Sequence, residues 1–114
     1  MLKTKEELQT ELDGLITKHG KGNVYTINTP LSQDDDCEYA TIFLKKADRK
    51  QIEMINSVLR NNTDGLIAVE VAIKACYIGG DEKETVLNNE DALFGCDIPM
   101  FQFLQRKTGD LKKN

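Results

Sequence analysis

Leu8, Leu12, Leu15 and Ile16 recur at helical period among polar and charged neighbours, and this stripe predicts an amphipathic helix over Lys5–His19. Thr4 and Glu7 carry the spacing of a capping box, in which each side chain satisfies a free amide beside the other. Gly20 and Gly22 end the segment, and Gly14 inside it weakens the helix by about 1 kcal/mol relative to alanine. The stripe is narrow. It places the helix at the edge of the fold, on its own domain in preference to a neighbouring subunit.

The period then changes to two. Val24-Tyr25-Thr26-Ile27 is β-branched and aromatic, and predicts a strand that Pro30 ends by removing a backbone donor. Over Glu38–Lys45, Tyr39, Thr41 and Phe43 alternate with Ala40, Ile42 and Leu44. Both faces of that strand carry apolar groups, so it must be covered on both sides or paired in an oligomer. The two strands predict an antiparallel hairpin, which is marginal in water unless helices or another subunit pack on it.

Helical spacing returns after Asp48, which with Gln51 three residues on caps a helix over Arg49–Arg60. Ile52, Ile55, Val58 and Leu59 form its inner face, with Met54 at the rim. Asn61-Asn62-Thr63-Asp64 is a turn, and Thr63 or Asp64 caps the next helix. From Val69 to Ile78 the chain is apolar round most of a helical circumference, the mark of a central helix. Gly79 is expected to close that helix in the left-handed conformation, Gly80 to let the chain reverse close to neighbouring atoms, and Asp81, Glu82, Lys83 and Glu84 to return it to water. Val86-Leu87 is a short apolar step. Asn89 caps a short helix over Glu90–Gly95, and Asp97 caps another with Pro99 in its first turn. Ile98, Met100, Phe101, Phe103 and Leu104 supply more bulk than one helix face needs; part seals the core and part is available to an apolar partner. The predicted fold is α+β: an antiparallel hairpin packed with an N-terminal helix and a C-terminal bundle of three to four short helices. We expect one domain over residues 1–114, with the N-terminal helix in 1–22, the hairpin in 23–46, the helical part in 47–108 and a frayed tail from 109 to 114.

Composition narrows the function classes. Charged residues make up 30% and apolar residues 39%, a balance that suits a charged-surface globular protein. The net charge of −4 argues against nucleic-acid binding through a basic face, and the short basic runs at Lys45–Lys50 and Arg106–Lys113 have acids nearby. The N-terminal residues are charged and lack the apolar core of a signal peptide, no stretch is apolar enough to span a membrane, and the odd count of three cysteines fits a reducing compartment; the expected location is the cytoplasm. Cys37, Cys76 and Cys96 match no zinc or redox spacing, and His19 is the single histidine. Asp34-Asp35-Asp36 reads as a solvated turn rather than a cation site. The calcium-loop analogy around Asn62, Asp64 and Gly65 fails because its end positions are Arg60 and Val71. No metal or cofactor is expected. Asp81 and Glu82 beside the glycines are the obvious acids for catalysis, but no partner base or phosphate loop accompanies them, and an enzyme is not expected.

The run Phe43-Leu44-Lys45-Lys46-Ala47-Asp48-Arg49-Lys50, a helix, and then Cys76-Tyr77-Ile78-Gly79-Gly80-Asp81-Glu82 resembles the small tail assembly chaperones of long-tailed bacteriophages and prophages. The resemblance spans roughly Tyr39–Asp91. Tyr77 stands where tryptophan is often found, and the Met1–Gly22 segment has no counterpart. It implies a non-catalytic protein of the host cytoplasm that binds the tape-measure protein, or another tail protein, and keeps it soluble during tail assembly. A homo-oligomer is open. The partner-binding residues inferred from apolar bulk are Tyr77, Ile98, Met100, Phe101 and Leu104, with Asp81 and Glu82 as rim charges. The alternative is a small structural or head–tail adaptor subunit of a phage particle.

Overall fold

A computed structural model describes residues 2–61, 64–105 and 109–114. The fold is α+β, with α1 (Lys5–His19), β1 (Val24–Pro30), β2 (Tyr39–Lys45), α2 (Arg49–Asn61), α3 (Gly65–Cys76), β3 (Tyr77–Gly80), α4 (Lys83–Leu87), α5 (Glu90–Gly95) and α6 (Asp97–Leu104). The strands form an antiparallel sheet in the order β1-β2-β3.

Local chemistry sets most boundaries. The Thr4 hydroxyl accepts the Glu7 amide and the Glu7 carboxylate accepts the Thr4 amide, so the expected capping box forms. Asp48 and Gln51 repeat that exchange at α2, and the Gln51 amide group also donates to the carbonyl of Ala75, tying the start of α2 to the end of α3. Asp64 caps α3 by accepting the Leu66 amide; Thr63, the other expected cap, lies outside the described residues. Asn89 caps α5 through the Ala92 amide. At α6 the N-cap is Cys96, and Asp97 is the first helical residue rather than the cap.

The β1–β2 register pairs Ile27 with Ile42 and Asn28 with Thr41. Alternation along each strand then divides the residues between two faces. Ile27, Ala40, Ile42 and Leu44 join Ile55, Ala68, Val69, Ala72, Ile73 and Val86 in the main core under the helical layer. Phe43 is 1% exposed yet lies outside that core. It sits on the opposite face, where α1 leans over the sheet through Leu8 and Leu12. The strand is therefore covered on both sides, as its two apolar faces required. No residue of α1 is fully buried, in keeping with its narrow stripe.

Two elements depart from expectation. Lys83–Leu87, read as a charged return to water and a short apolar step, is the helix α4, so that five helices rather than three to four follow the hairpin among the described residues. A third strand also joins the sheet. The apolar run does not stay helical to the glycines: α3 ends at Cys76, and Tyr77–Gly80 is a third strand beside β2. Gly79 lies within that strand and does not cap a helix. The positive φ belongs to Gly80, at +96°, and a β-carbon there would run into the carbonyl oxygen of Thr41. Close approach of two backbones explains Gly80, as expected of it, whereas the helix termination expected of Gly79 does not occur.

Candidate functional site

The residues singled out from the sequence fall into two separate places. The first is the turn after β3. Asp81 is 2% exposed, so it is neither a solvated acid nor a rim charge. Its Oδ1 accepts the Lys3 amide at 2.7 Å and its Oδ2 accepts the Thr41 amide at 2.8 Å. Its own amide donates to the Thr41 carbonyl at 2.7 Å, and its carbonyl accepts the Tyr77 hydroxyl at 2.8 Å. One carboxylate thus joins the segment before α1 to the middle of β2. With a backbone amide on each oxygen, it acts as a staple between them.

Glu11 completes the cluster from α1. Its Oε2 accepts the Gly80 amide at 3.0 Å and its Oε1 accepts the Lys3 ammonium at 2.7 Å. Burial pushes the Glu11 carboxyl up, but the Lys3 ammonium and the Gly80 amide outweigh burial and the net shift is downward. Lys3 is raised, chiefly by its hydrogen bond to Glu11. Gly79 makes this approach possible, because a β-carbon there would meet the Glu11 carboxylate and the Leu15 side chain. Tyr77 is half-buried, and burial pushes its hydroxyl pKa up. Glu82 is exposed and its side chain makes no cap bond to α4. The sequence gives no sign of Lys3 or Glu11, because both are brought in by α1 from the far end of the chain.

The second place is α6. Met100 is 3% exposed, and so is Phe103, whose ring meets Tyr25 edge-on at 4.9 Å. Met100 was expected at the partner surface; the helix instead turns it into the core beside α3. Leu104 is half-buried. Ile98 and Phe101 point outward, 72% and 68% exposed. Phe94 on α5 is 66% exposed and was missed. The signal for it is spacing: Cys96 keeps right-handed helical dihedrals between α5 and α6, so Phe94, Ile98 and Phe101 fall toward one side. A crevice of about 30 Å³ is lined in part by Leu59, Met100, Phe101 and Leu104, and a shallow hollow of about 430 Å³ lies beside Ile98, Phe101, Gln102 and Gln105. Leu59, read as an inner-face residue of α2, is 42% exposed and extends this apolar surface.

A third feature separates α1 from the sheet. A cleft of about 620 Å³ runs between Leu8, Gln9 and Leu12 of α1 and Thr26, Asn28, Tyr39, Thr41 and Phe43 of the sheet, with Lys3 and Lys5 at its border. Its floor is mixed in polarity.

Among the described residues no cluster of three or more His, Cys, Asp or Glu side chains is arranged to hold a metal, and no helix is long and apolar enough to cross a membrane. No protein-family profile matches this chain, and neither a curated protein nor a solved structure shows significant similarity to it.

Proposed function

We propose that this chain is a non-catalytic binding protein of the tail-assembly-chaperone type, holding apolar helical stretches of a tape-measure protein until tail-tube subunits displace it. The observation that carries the reading is the outward placement of Ile98 and Phe101, with Phe94, on a helical layer whose core Met100 and Phe103 already seal. Large apolar side chains grouped on a surface are characteristic of interaction sites. Their client is an amphipathic helix seated in the shallow hollow beside α6, held by apolar burial and a polar rim of Asp97, Gln102 and Gln105. Asp81 leaves the contact set because it ties the segment before α1 to β2, and Tyr77 because its hydroxyl donates to the Asp81 carbonyl.

The test is co-expression with the longest coiled-coil-like protein encoded beside this chain. The expected result is a client soluble only in its presence, with rescue abolished by Phe101→Asp while far-UV circular dichroism is unchanged. A client that behaves identically alone, or rescue unaffected by Phe101→Asp, overturns the proposal. The second reading is a structural or head–tail adaptor subunit, favoured by the outer edge of β1, beside which no strand lies among the described residues; retention of the chain in purified particles would select it.

A further inference from the structure

The outer edge of β1 has the properties of a self-complementary interface. Among the described residues no strand lies beyond β1. The ladder to β2 is bracketed by the Lys46 amide donating to Asn23 and the Leu31 amide donating to Glu38. In an antiparallel pair, alternate residues turn their amide and carbonyl toward the partner. Tyr25, Ile27 and Thr29 therefore bond to β2, and Val24, Thr26 and Asn28 present theirs outward. None of the seven residues of β1 is charged. Edge strands that avoid pairing normally carry such a charge, and this one has only Pro30 at its end.

The geometry points to a homodimer in which two β1 strands pair antiparallel about a two-fold axis at Thr26. In that register Thr26 faces its own mate and Val24 faces the partner's Asn28, giving about six backbone hydrogen bonds. The ladder stops at Pro30, which has no amide to offer. On the core side Tyr25 comes opposite the partner's Ile27, an aromatic and β-branched pair that favours the register. Charge selects the antiparallel orientation. Lys21 shortly precedes β1 and Lys45 and Lys46 pair beside its start, while Asp34, Asp35 and Asp36 follow its other end. Antiparallel pairing sets the basic end of each copy against the acidic end of the other, whereas parallel pairing would set like against like. The result is a continuous six-stranded sheet with the two α1 clefts side by side on one face. This interface is built from backbone groups of β1 and uses neither Ile98 nor Phe101, the outward residues of α6.

Sedimentation equilibrium of the full chain, taken up to about 1 mM, tests it. The wild type is expected to dimerise, more weakly as salt rises. Thr26→Pro removes an outward amide that β2 does not use, so the fold is expected to remain by circular dichroism while the dissociation constant rises at least about tenfold. Phe101→Asp is expected to leave the dimer intact. In a Cys37→Ser background, Thr26→Cys is expected to cross-link on oxidation, since facing α-carbons in such a pair lie about 5.5 Å apart. Val24→Cys and Asn28→Cys chains are expected to cross-link when mixed and not when separate. A wild type that stays monomeric throughout overturns the proposal. So does a dimer unaffected by Thr26→Pro, one lost in Phe101→Asp, or folded cysteine variants that fail to cross-link.

Discussion

Replacing Asp81 with alanine tests the staple. The side chain is 2% exposed and accepts two backbone amides, at 2.7 and 2.8 Å, from segments far apart in sequence. Hydrogen bonds to a charged group contribute about 1.5–3 kcal/mol each. The Lys3 amide lies near the surface and can turn to water, which returns much of its share. The Thr41 amide is held in β2, and leaving it without an acceptor costs about 1–3 kcal/mol. The expected loss is about 2–4 kcal/mol, a large part of the roughly 5–15 kcal/mol available to a domain of this size. Asp81→Asn keeps one oxygen but turns an amino group toward the other donor, so about 1–2 kcal/mol is expected. Urea unfolding with a common slope measures both. Amide exchange locates the damage: Lys3 and Thr41 should lose protection while Ile27 and Ile73 keep theirs. The neighbouring Glu82→Ala serves as control, since Glu82 is exposed, and should stay within about 0.5 kcal/mol. An Asp81→Ala loss below about 0.5 kcal/mol, or one matched by Glu82→Ala, refutes the staple.

The clasp between Glu11 and Lys3 should show in the pH dependence of stability. A depressed Glu11 contributes stability above its unfolded pKa that is lost as pH falls through its folded pKa, so the gap between wild type and Glu11→Gln should be present at neutral pH and close in acid, as followed by urea midpoints. The raised Lys3 acts at the other limit, with its share lost as pH rises through its folded pKa. Two glycines should respond in opposite directions: Gly80→Ala, at φ +96° and against the Thr41 carbonyl, should cost about 2–4 kcal/mol, whereas Gly14→Ala, with nothing within 4 Å on α1, should add about 1 kcal/mol, both by urea titration. Burial pushes the Cys96 thiol up to about 11 and raises Cys76, and both are fully buried, so a thiol reagent at neutral pH should modify Cys37 alone until denaturant is added.

What the sequence made legible follows the range of the interactions involved. The capping residues Thr4, Asp48 and Asn89 act within three residues of themselves and were readable from spacing, Asp64 was one of two candidates, and Asp97, read the same way, is the first residue of α6 rather than its cap. The alternation across β2 was equally local, and it required cover on both faces before the identity of that cover was known. The third strand was hidden because Ala75-Cys76-Tyr77-Ile78 continues an apolar helix without a polar residue, and so short a run carries no period to divide helix from strand. What ends α3 at Cys76 is the vacancy beside β2, where Gly79 and Gly80 admit Glu11 on one side and the Thr41 carbonyl on the other. Asp81 was misplaced for the same reason. Within the run Asp81-Glu82-Lys83-Glu84 it reads as one more solvated charge, and only the arrival of Lys3 and Thr41 distinguishes it from Glu82. On α6 the excess of bulk was legible but its division was not, because the helix is packed on two sides: α3 claims one flank and Tyr25 the other, which takes Met100 and Phe103 inward and leaves Ile98 and Phe101 outside. The surface that remains is thus what tertiary packing did not use. Its function must be sought in what covers it.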